Sequence, residues 1–439
     1  MKRRIESVSL CFLACSLALS GVFSPPGTTW AAEPGAPAPA ISAREALTLD
    51  EAVRLALENN PELHASRARV DAAAGRADQA GLWANPELTL NAEDWPVGGG
   101  GGFSDAKQTV GVAQTIPFPG KKKLDRQIGA YGVRLSEAQV KLRRVELVRD
   151  VKTAFFQVLA AERLVEVAAD LVQVAESSAS AARKRVAAGA AADQEQLRAE
   201  IPLEQARTEL AGFKRETASA RQNLALWLGR PDLADAPVHG TLAESVSLTL
   251  LEQGPAQWLP AHPRIRAVAT SREQAELELR RARLEPYPDV RMDVAGGRAG
   301  ETGQSIVEVG FSIPLPVVDR SKGKKQEAQA NVRLAAADQA AVEQRLLHAW
   351  ATAGHRLRTA REQVANYRER ILPKASEALR LVQLGFEQGK FAFLDLLDTQ
   401  RTAAEARLAY QHKLLELNVA QAELECLAAA GTSPEAPQP

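Results

Sequence analysis

Cysteine, histidine, aromatic residues, net charge and long apolar runs are all scarce in this chain, and each scarcity removes a class of function. Of 439 residues only 3 are cysteine and 6 are histidine. Cys11 and Cys15 fall in an N-terminal export segment, which leaves Cys426 alone in the remainder. A single cysteine forms no intrachain disulfide, and no CxxC or Cys/His cluster offers a metal-ligand spacing. His348 and His355 stand too far apart along one helical run to share an ion and are expected to be ordinary helix residues. Acidic and basic residues balance at 54 each, so no bulk charge points to nucleic acid. There is no GxSxG, no P-loop and no GxGxxG opening a helix, so neither an enzyme nor a cofactor is expected. Aromatics make up only 5% of the chain, which favours long, closely apposed helices over a thick globular core.

The beginning of the chain reads as a signal peptide over residues 1–31. Lys2-Arg3-Arg4 is basic, the stretch from Val8 to Leu19 is apolar, and Thr29-Trp30-Ala31 has the small-x-small form of a cleavage site. Lipidation at Cys15 is the alternative. A Pro- and Ala-rich leader follows over 32–47 and is expected to be disordered. Nothing after the signal approaches the roughly 20 apolar residues of a membrane-spanning helix. If this chain crosses a membrane, strands must do it.

What the sequence does contain is itself, twice. Asn60-Pro61 answers to His262-Pro263, and Asn85-Pro86 to Tyr287-Pro288. Ile116-Pro117-Phe118-Pro119 answers to Ile313-Pro314-Leu315-Pro316, Gly189 to Gly389, and Ala206-Arg207 to Ala406-Arg407. The offset stays near 200 residues, far longer than a solenoid unit, so it marks duplicated half-domains over 48–229 and 262–430. Between them, residues 230–261 contain Pro231, Pro237, Pro255 and Pro260 and are expected to form a small side structure. Residues 431–439 form a tail.

Each half alternates short strands with very long helices. Thr48 is the expected N-cap of a first helix, with Glu51 reaching back in a capping box. In the strand pair over 87–116, Leu88, Leu90 and Ala92 alternate with Thr89, Asn91 and Glu93, and Val110, Val112 and Ile116 alternate with Thr109, Ala113 and Thr115. The pair over 289–313 repeats this with Val290, Met292 and Val294, then Val307, Val309, Phe311 and Ile313. With its flanks each run has about nine or ten residues, the length a tilted strand needs to span a bilayer. Glycine-rich loops (97–104 and 296–303) join the strands, and Trp95, Phe103 and Tyr287 lie where an aromatic girdle would. Two surface hairpins on a soluble domain are the competing reading of the strands alone.

The helices decide between these. Residues 124–188 contain no proline and keep a three/four apolar spacing, giving a rod of roughly 100 Å at 1.5 Å per residue. Gly189 turns the chain, and Asp193 is the expected cap of a helix returning to about 228, with Pro202 a candidate kink. The second long hairpin, 326–430, turns at Gly389 and carries Pro373 as an expected break. Four strands cannot stand alone in lipid, because an open sheet leaves unpaired backbone groups in hydrocarbon; they must close with other chains.

In the duplicated order of these motifs the chain resembles the TolC-type outer-membrane factors, the exit ducts of tripartite efflux and secretion systems. The residues that carry the resemblance are Leu49-Asp50-Glu51-Ala52, Asn59-Asn60-Pro61, Asn85-Pro86-Glu87-Leu88, Ile313-Pro314-Leu315-Pro316, and Gly389 followed by Leu394-Asp395-Leu396-Leu397-Asp398. The stretches Gln114 to Lys123 and Ile313 to Arg320 are most similar to the CzcC-type heavy-metal efflux subfamily. The resemblance implies an α+β membrane protein whose strands, four per chain, close a 12-stranded barrel in a homotrimer, above a periplasmic α-barrel. It implies an outer-membrane location, a periplasmic adaptor and an inner-membrane RND-type pump as partners, and heavy-metal cations as cargo. Drug efflux or type I secretion is the alternative within the family. A periplasmic adaptor, or a coiled-coil protein without a barrel, is the alternative outside it; the long duplication argues against the adaptor and the paired strand runs against the coiled coil.

Asp395 and Asp398 are three apart and so lie on one helix face just past the Gly389 turn. The resemblance makes them the periplasmic gate, where a crowded acidic ring favours cations. Ordinary carboxylates favoured by a helix N-terminus are the competing reading. Phe386 and Phe391, with Phe393, are candidates for an apolar seal beside them. The hairpin tips, Gly189 and Asp193 in the first half and Gly389 and Lys390 in the second, are candidates for adaptor docking.

Overall fold

In the computed structural model, residues 46–94, 102–300 and 302–432 are described, and they fall in one unit, Glu45–Pro439. The expected signal peptide, nearly all of the expected leader, Trp95, most of the first glycine-rich loop and residues 433–439 lie outside the described residues.

The sheet follows from the alternation. β1 (Glu87–Glu93), β2 (Lys107–Ile116), β3 (Val290–Arg298) and β4 (Ser305–Ser312) form one antiparallel sheet in the order β1-β2-β3-β4. Its register sets Leu88 opposite Val112, Val112 opposite Val294, and Val294 opposite Val309. With a side-chain period of two, that pairing gathers the apolar residues of all the strands on one face. This face has no cover: Leu88 is 70% exposed, Val307 77% and Phe311 67%. The opposite face is polar or small, with Thr89, Gly111, Ala295 and Glu308 aligned across it. The outer edges of β1 and β4 have no strand partner among the described residues.

Helices prolong the strands in the same order. α1 (Leu49–Asn59) and α2 (Pro61–Ala80) lead into β1, and α3 (Lys121–Ala187) leaves β2. α4 (Asp193–Leu228) returns, and the short α5 (Thr249–Gln253) lies in the linking segment. α6 (Pro263–Arg283) leads into β3, and α7 (Lys322–Asn366) leaves β4. After a π turn at Tyr367–Ile371 come α8 (Leu372–Glu387) and α9 (Phe393–Thr432). α3 alone has 67 residues, roughly 100 Å of helix. No described helix is apolar enough to cross a membrane.

α2 packs on α3, α3 on α6, and α6 on α7; toward the hairpin turns, α4 packs on α3, α3 on α9, and α9 on α8. The result is a ribbon essentially one element thick. β1, α2 and α4 run along one margin, and β4, α7 and α8 along the other.

Proline and glycine act as punctuation, though not always as the sequence suggests. Pro202 lies inside α4 without ending it. The carbonyl it cannot bond belongs to Arg198, which is exposed, so water can satisfy it. Pro373 is preceded by the π turn, which absorbs the missing hydrogen bond by local re-registration. Both strand-to-helix junctions use a left-handed residue, Gly120 at φ 95° before α3 and Ser321 at φ 52° before α7. At the chain's first helix only half of the expected capping box forms. Thr48 accepts from the Glu51 N–H at 3.4 Å, while the Glu51 carboxylate turns to Arg54 at 3.5 Å.

The linking segment is pinned to the middle of α7 and α9. Trp258 packs against Trp350 with ring centroids 5.0 Å apart, in a core that includes Val246, Leu357, Leu414 and Leu417. Buried Asn418 grips Ala243 at both backbone atoms, accepting its N–H at 2.9 Å and donating to its carbonyl at 3.0 Å. Leu47, the last residue of the leader expected to be disordered, is instead buried and joins the same segment, donating to Pro237 O at 2.7 Å and accepting from the His239 N–H at 2.9 Å.

Candidate functional site

The two hairpin turns are built alike. At the first, the Gly189 N–H donates to Val186 O at 2.9 Å and the Ala190 N–H to Arg185 O at 2.8 Å. At the second, Gly389 donates to Phe386 O at 2.9 Å and Lys390 to Gly385 O at 2.8 Å. These are the paired bonds of a Schellman motif, which requires a left-handed residue; Gly189 has φ 71° and Gly389 φ 73°. The sequence signal at both turns is the glycine itself.

The helices that return from these turns start differently. Asp193, the expected cap of α4, is its first residue and makes no capping bond; the N-cap is Ala192, one position earlier. In the second repeat Asp395 Oδ2 accepts from the Ala392 N–H at 2.9 Å, so its carboxylate closes its own helix start. Glu195 holds the equivalent position in the first repeat and is one methylene longer. Its carboxylate reaches across the turn to Arg185 Nε at 3.3 Å.

Between the tips lies a small core of Ala179 and Ala182 from α3, Ala199 and Leu203 from α4, and Phe393 and Leu396 from α9. Phe386 packs against it, with its ring centroid 5.7 Å from that of Phe393. The Arg185 guanidinium stands over the Phe386 ring at 5.2 Å, a cation–π contact. Ser178 and Gln400 exchange hydrogen bonds at 3.0 and 3.2 Å and link α3 to α9. Arg185, Ser178 and Gln400 were not singled out from the sequence. The only available signal was the pair of charges, Arg185 and Glu195, that bracket Gly189.

The expected gate residues therefore separate into two groups. Phe386 and Phe393 meet inside the tip core. Phe391, 45% exposed, lies against Gly385, where any Cβ would overlap its ring. Asp395 and Asp398 are exposed, and neither has an ion-pair partner among the described residues. Asp398 occupies the place of exposed Arg198 in the first repeat, so the charge at that level is inverted between the two tips. Gly189, Asp193, Gly389 and Lys390 are all exposed at the turns. No group of three or more His, Cys, Asp or Glu among the described residues is placed to hold a metal ion. His348 and His355 are exposed helix residues.

The outer membrane efflux protein family matches the chain over residues 52–230 and again over 255–432, once in each repeat. The chain belongs to that family. It is a transport channel protein, not an enzyme. It is 31% identical over 373 residues to the cobalt-zinc-cadmium resistance protein CzcC of Cupriavidus metallidurans, covering 83% of this chain and 85% of that protein. It is 24% identical over 302 residues to the nickel-cobalt-cadmium resistance protein NccC of Alcaligenes xylosoxydans xylosoxydans, covering 68% of this chain and 67% of the relative. The fold is that of the outer membrane protein VceC from Vibrio cholerae, with a TM-score of 0.71 at 20% identity over 87% of this chain and 96% of VceC.

Proposed function

We propose that the chain is one subunit of a homotrimeric outer-membrane duct that passively conducts heavy-metal cations from the periplasm to the exterior. It would work as the exit of a tripartite system, receiving cargo from an inner-membrane RND-type pump through a periplasmic adaptor. The observation that carries this reading is the ribbon with two open margins. The outer sides of β1, α2 and α4 at one margin and of β4, α7 and α8 at the other have no partner among the described residues, at matching levels, which suits head-to-tail closure into a ring. Three copies of the four-stranded sheet make a twelve-stranded barrel, a workable number with an aqueous interior.

The uncovered apolar face supports a lipid-facing outside. Leu88, Leu90, Val307, Val309 and Phe311 are all more than half exposed in the single chain. Removing each such side chain from water is worth roughly 1.5–3 kcal/mol, and lipid supplies that burial. Similarity to the metal-resistance proteins CzcC and NccC supports metal cations as the cargo. At the tips, Asp395 and Asp398 would form an acidic constriction with Phe391 beside it. The turns at Gly189, Asp193, Gly389 and Lys390 would meet the adaptor.

The test is fractionation and resistance together. The reading expects heat-modifiable trimers in the outer-membrane fraction and loss of zinc, cobalt or cadmium tolerance when the chain is deleted. A monomer in the soluble periplasmic fraction would overturn the duct. Trimers with unchanged metal tolerance would overturn only the cargo.

A further inference from the structure

The polar face of the sheet carries charges that are almost all neutralised locally. Glu87 is paired with Arg291 at 2.8 Å. Lys107 reaches Glu93 at 3.3 Å and also contacts Glu308. Asp293 is different: it lies on the same face and has no cation partner among the described residues. The register explains why it stands alone. Ala113 is opposite Asp293 on β2 and Gly310 opposite it on β4, so its flanking side chains are the smallest available. The carboxylate lies directly against Gly310, where a Cβ would overlap Oδ2. One row away, Gly111 and Ala295 continue the small-residue lining. Asp293 is half-buried, and the guanidinium two residues before it on the same strand, Arg291, is committed to Glu87.

We infer that Asp293 is a charge-selectivity determinant of the membrane-spanning part of the channel, favouring cations over anions along its lumen. The inference rests on the trimeric-barrel reading, in which one copy of Asp293 per subunit stands at a common level inside the barrel. It is separate from Asp395 and Asp398, which lie at the other end of the helices. Field strength decides whether so open a ring of carboxylates matters. At about 0.1 M salt the Debye length is roughly 10 Å, so the ring influences ions across much of the lumen; at about 1 M it is roughly 3 Å and the influence is confined to the wall.

The test is the zero-current potential of purified trimers in planar bilayers under a tenfold KCl gradient. Wild type is expected on the cation-selective side. D293N, which keeps shape while removing charge, is expected to move the potential toward zero. D293E is expected to retain it. R291Q frees Glu87 and is expected to move the potential the other way, toward stronger cation preference, a control that the measurement reads charge on this wall. All differences are expected to shrink when both baths are raised toward 1 M salt. An unchanged potential in D293N, with trimers intact, would overturn the role of Asp293 and leave the duct standing, and D293S is read the same way if D293N forms no trimers. Wild-type protein that forms neither trimers nor channels would overturn the duct reading and the inference with it.

Discussion

His262 and Asn60 cap equivalent helices of the two repeats, and both are buried, at 2% and 3% exposure. Asn60 Oδ1 accepts from the N–H groups of Glu62 and Leu63 at 3.0 and 3.2 Å, while its amide donates to Trp227 O at 2.9 Å. His262 Nδ1 accepts from the Arg264 N–H at 3.1 Å, which only an unprotonated ring nitrogen can do. Burial, with a smaller contribution from the Arg264 charge, pushes the His262 pKa down from 6.5 to about 4.

That difference makes one repeat acid-sensitive. Between pH 6.5 and about 4 the unfolded chain binds a proton at His262 that the folded chain does not. Stability from this site is therefore fully present above pH 6.5, is lost as the pH falls through that window, and changes no further below it. His262→Asn should flatten this part of the curve of thermal unfolding against pH, relative to wild type. Parallel curves for the two proteins would refute the assignment.

Asn418, on α9, should be the polar residue on which the linking segment depends most. Truncation in Asn418→Ala leaves the Ala243 N–H and carbonyl without their side-chain partner in a half-buried place. We expect a loss of roughly 1–3 kcal/mol and earlier proteolytic cleavage within residues 230–261. A cleavage pattern identical to wild type would show that the Trp258 packing alone holds the segment.

Ser321 offers a stabilising change. A non-glycine residue held left-handed costs about 1 kcal/mol or more, and its counterpart Gly120 avoids that cost. Ser321→Gly is expected to raise the thermal midpoint by an amount equivalent to roughly 0.5–1 kcal/mol. The side chain itself makes no helix-capping bond that would be lost.

At the tips, packing and conduction should come apart. Phe393→Ala removes a buried ring and is expected to destabilise by about 3–5 kcal/mol. Phe391→Ala removes an exposed one and should leave stability within about 0.5 kcal/mol while altering single-channel conductance. Asp395→Asn with Asp398→Asn keeps the acceptor for the Ala392 N–H but removes both charges, and is expected to change conductance and cation preference. If those values match wild type, the gate lies elsewhere.

The strands were legible because period two, flanking prolines and duplication agree; β1 and β2 fall within the expected 87–116 pair. The helix partners were not. α3 is wetted on several sides and touches α2, α4, α6 and α9 at different heights, so no single apolar stripe names a neighbour. Asp193 was misread because an acidic residue beside a helix start looks the same at the cap as one position inside it. The contact of Arg185 with Phe386 joins residues about 200 apart, and no local pattern encodes it. Trp258 was likewise silent in a proline-rich stretch without periodicity.

A ribbon one element thick, bare on an apolar face and open at both margins, has consequences for how the chain comes to exist. In the proposed trimer an isolated subunit would not reach low free energy by itself, so folding and assembly would be one reaction whose yield depends on subunit concentration. Until neighbours arrive, the edges of β1 and β4 invite pairing with any exposed strand. On that reading, cells making this protein would need to hold each new chain apart from its own kind, then release it where copies can meet.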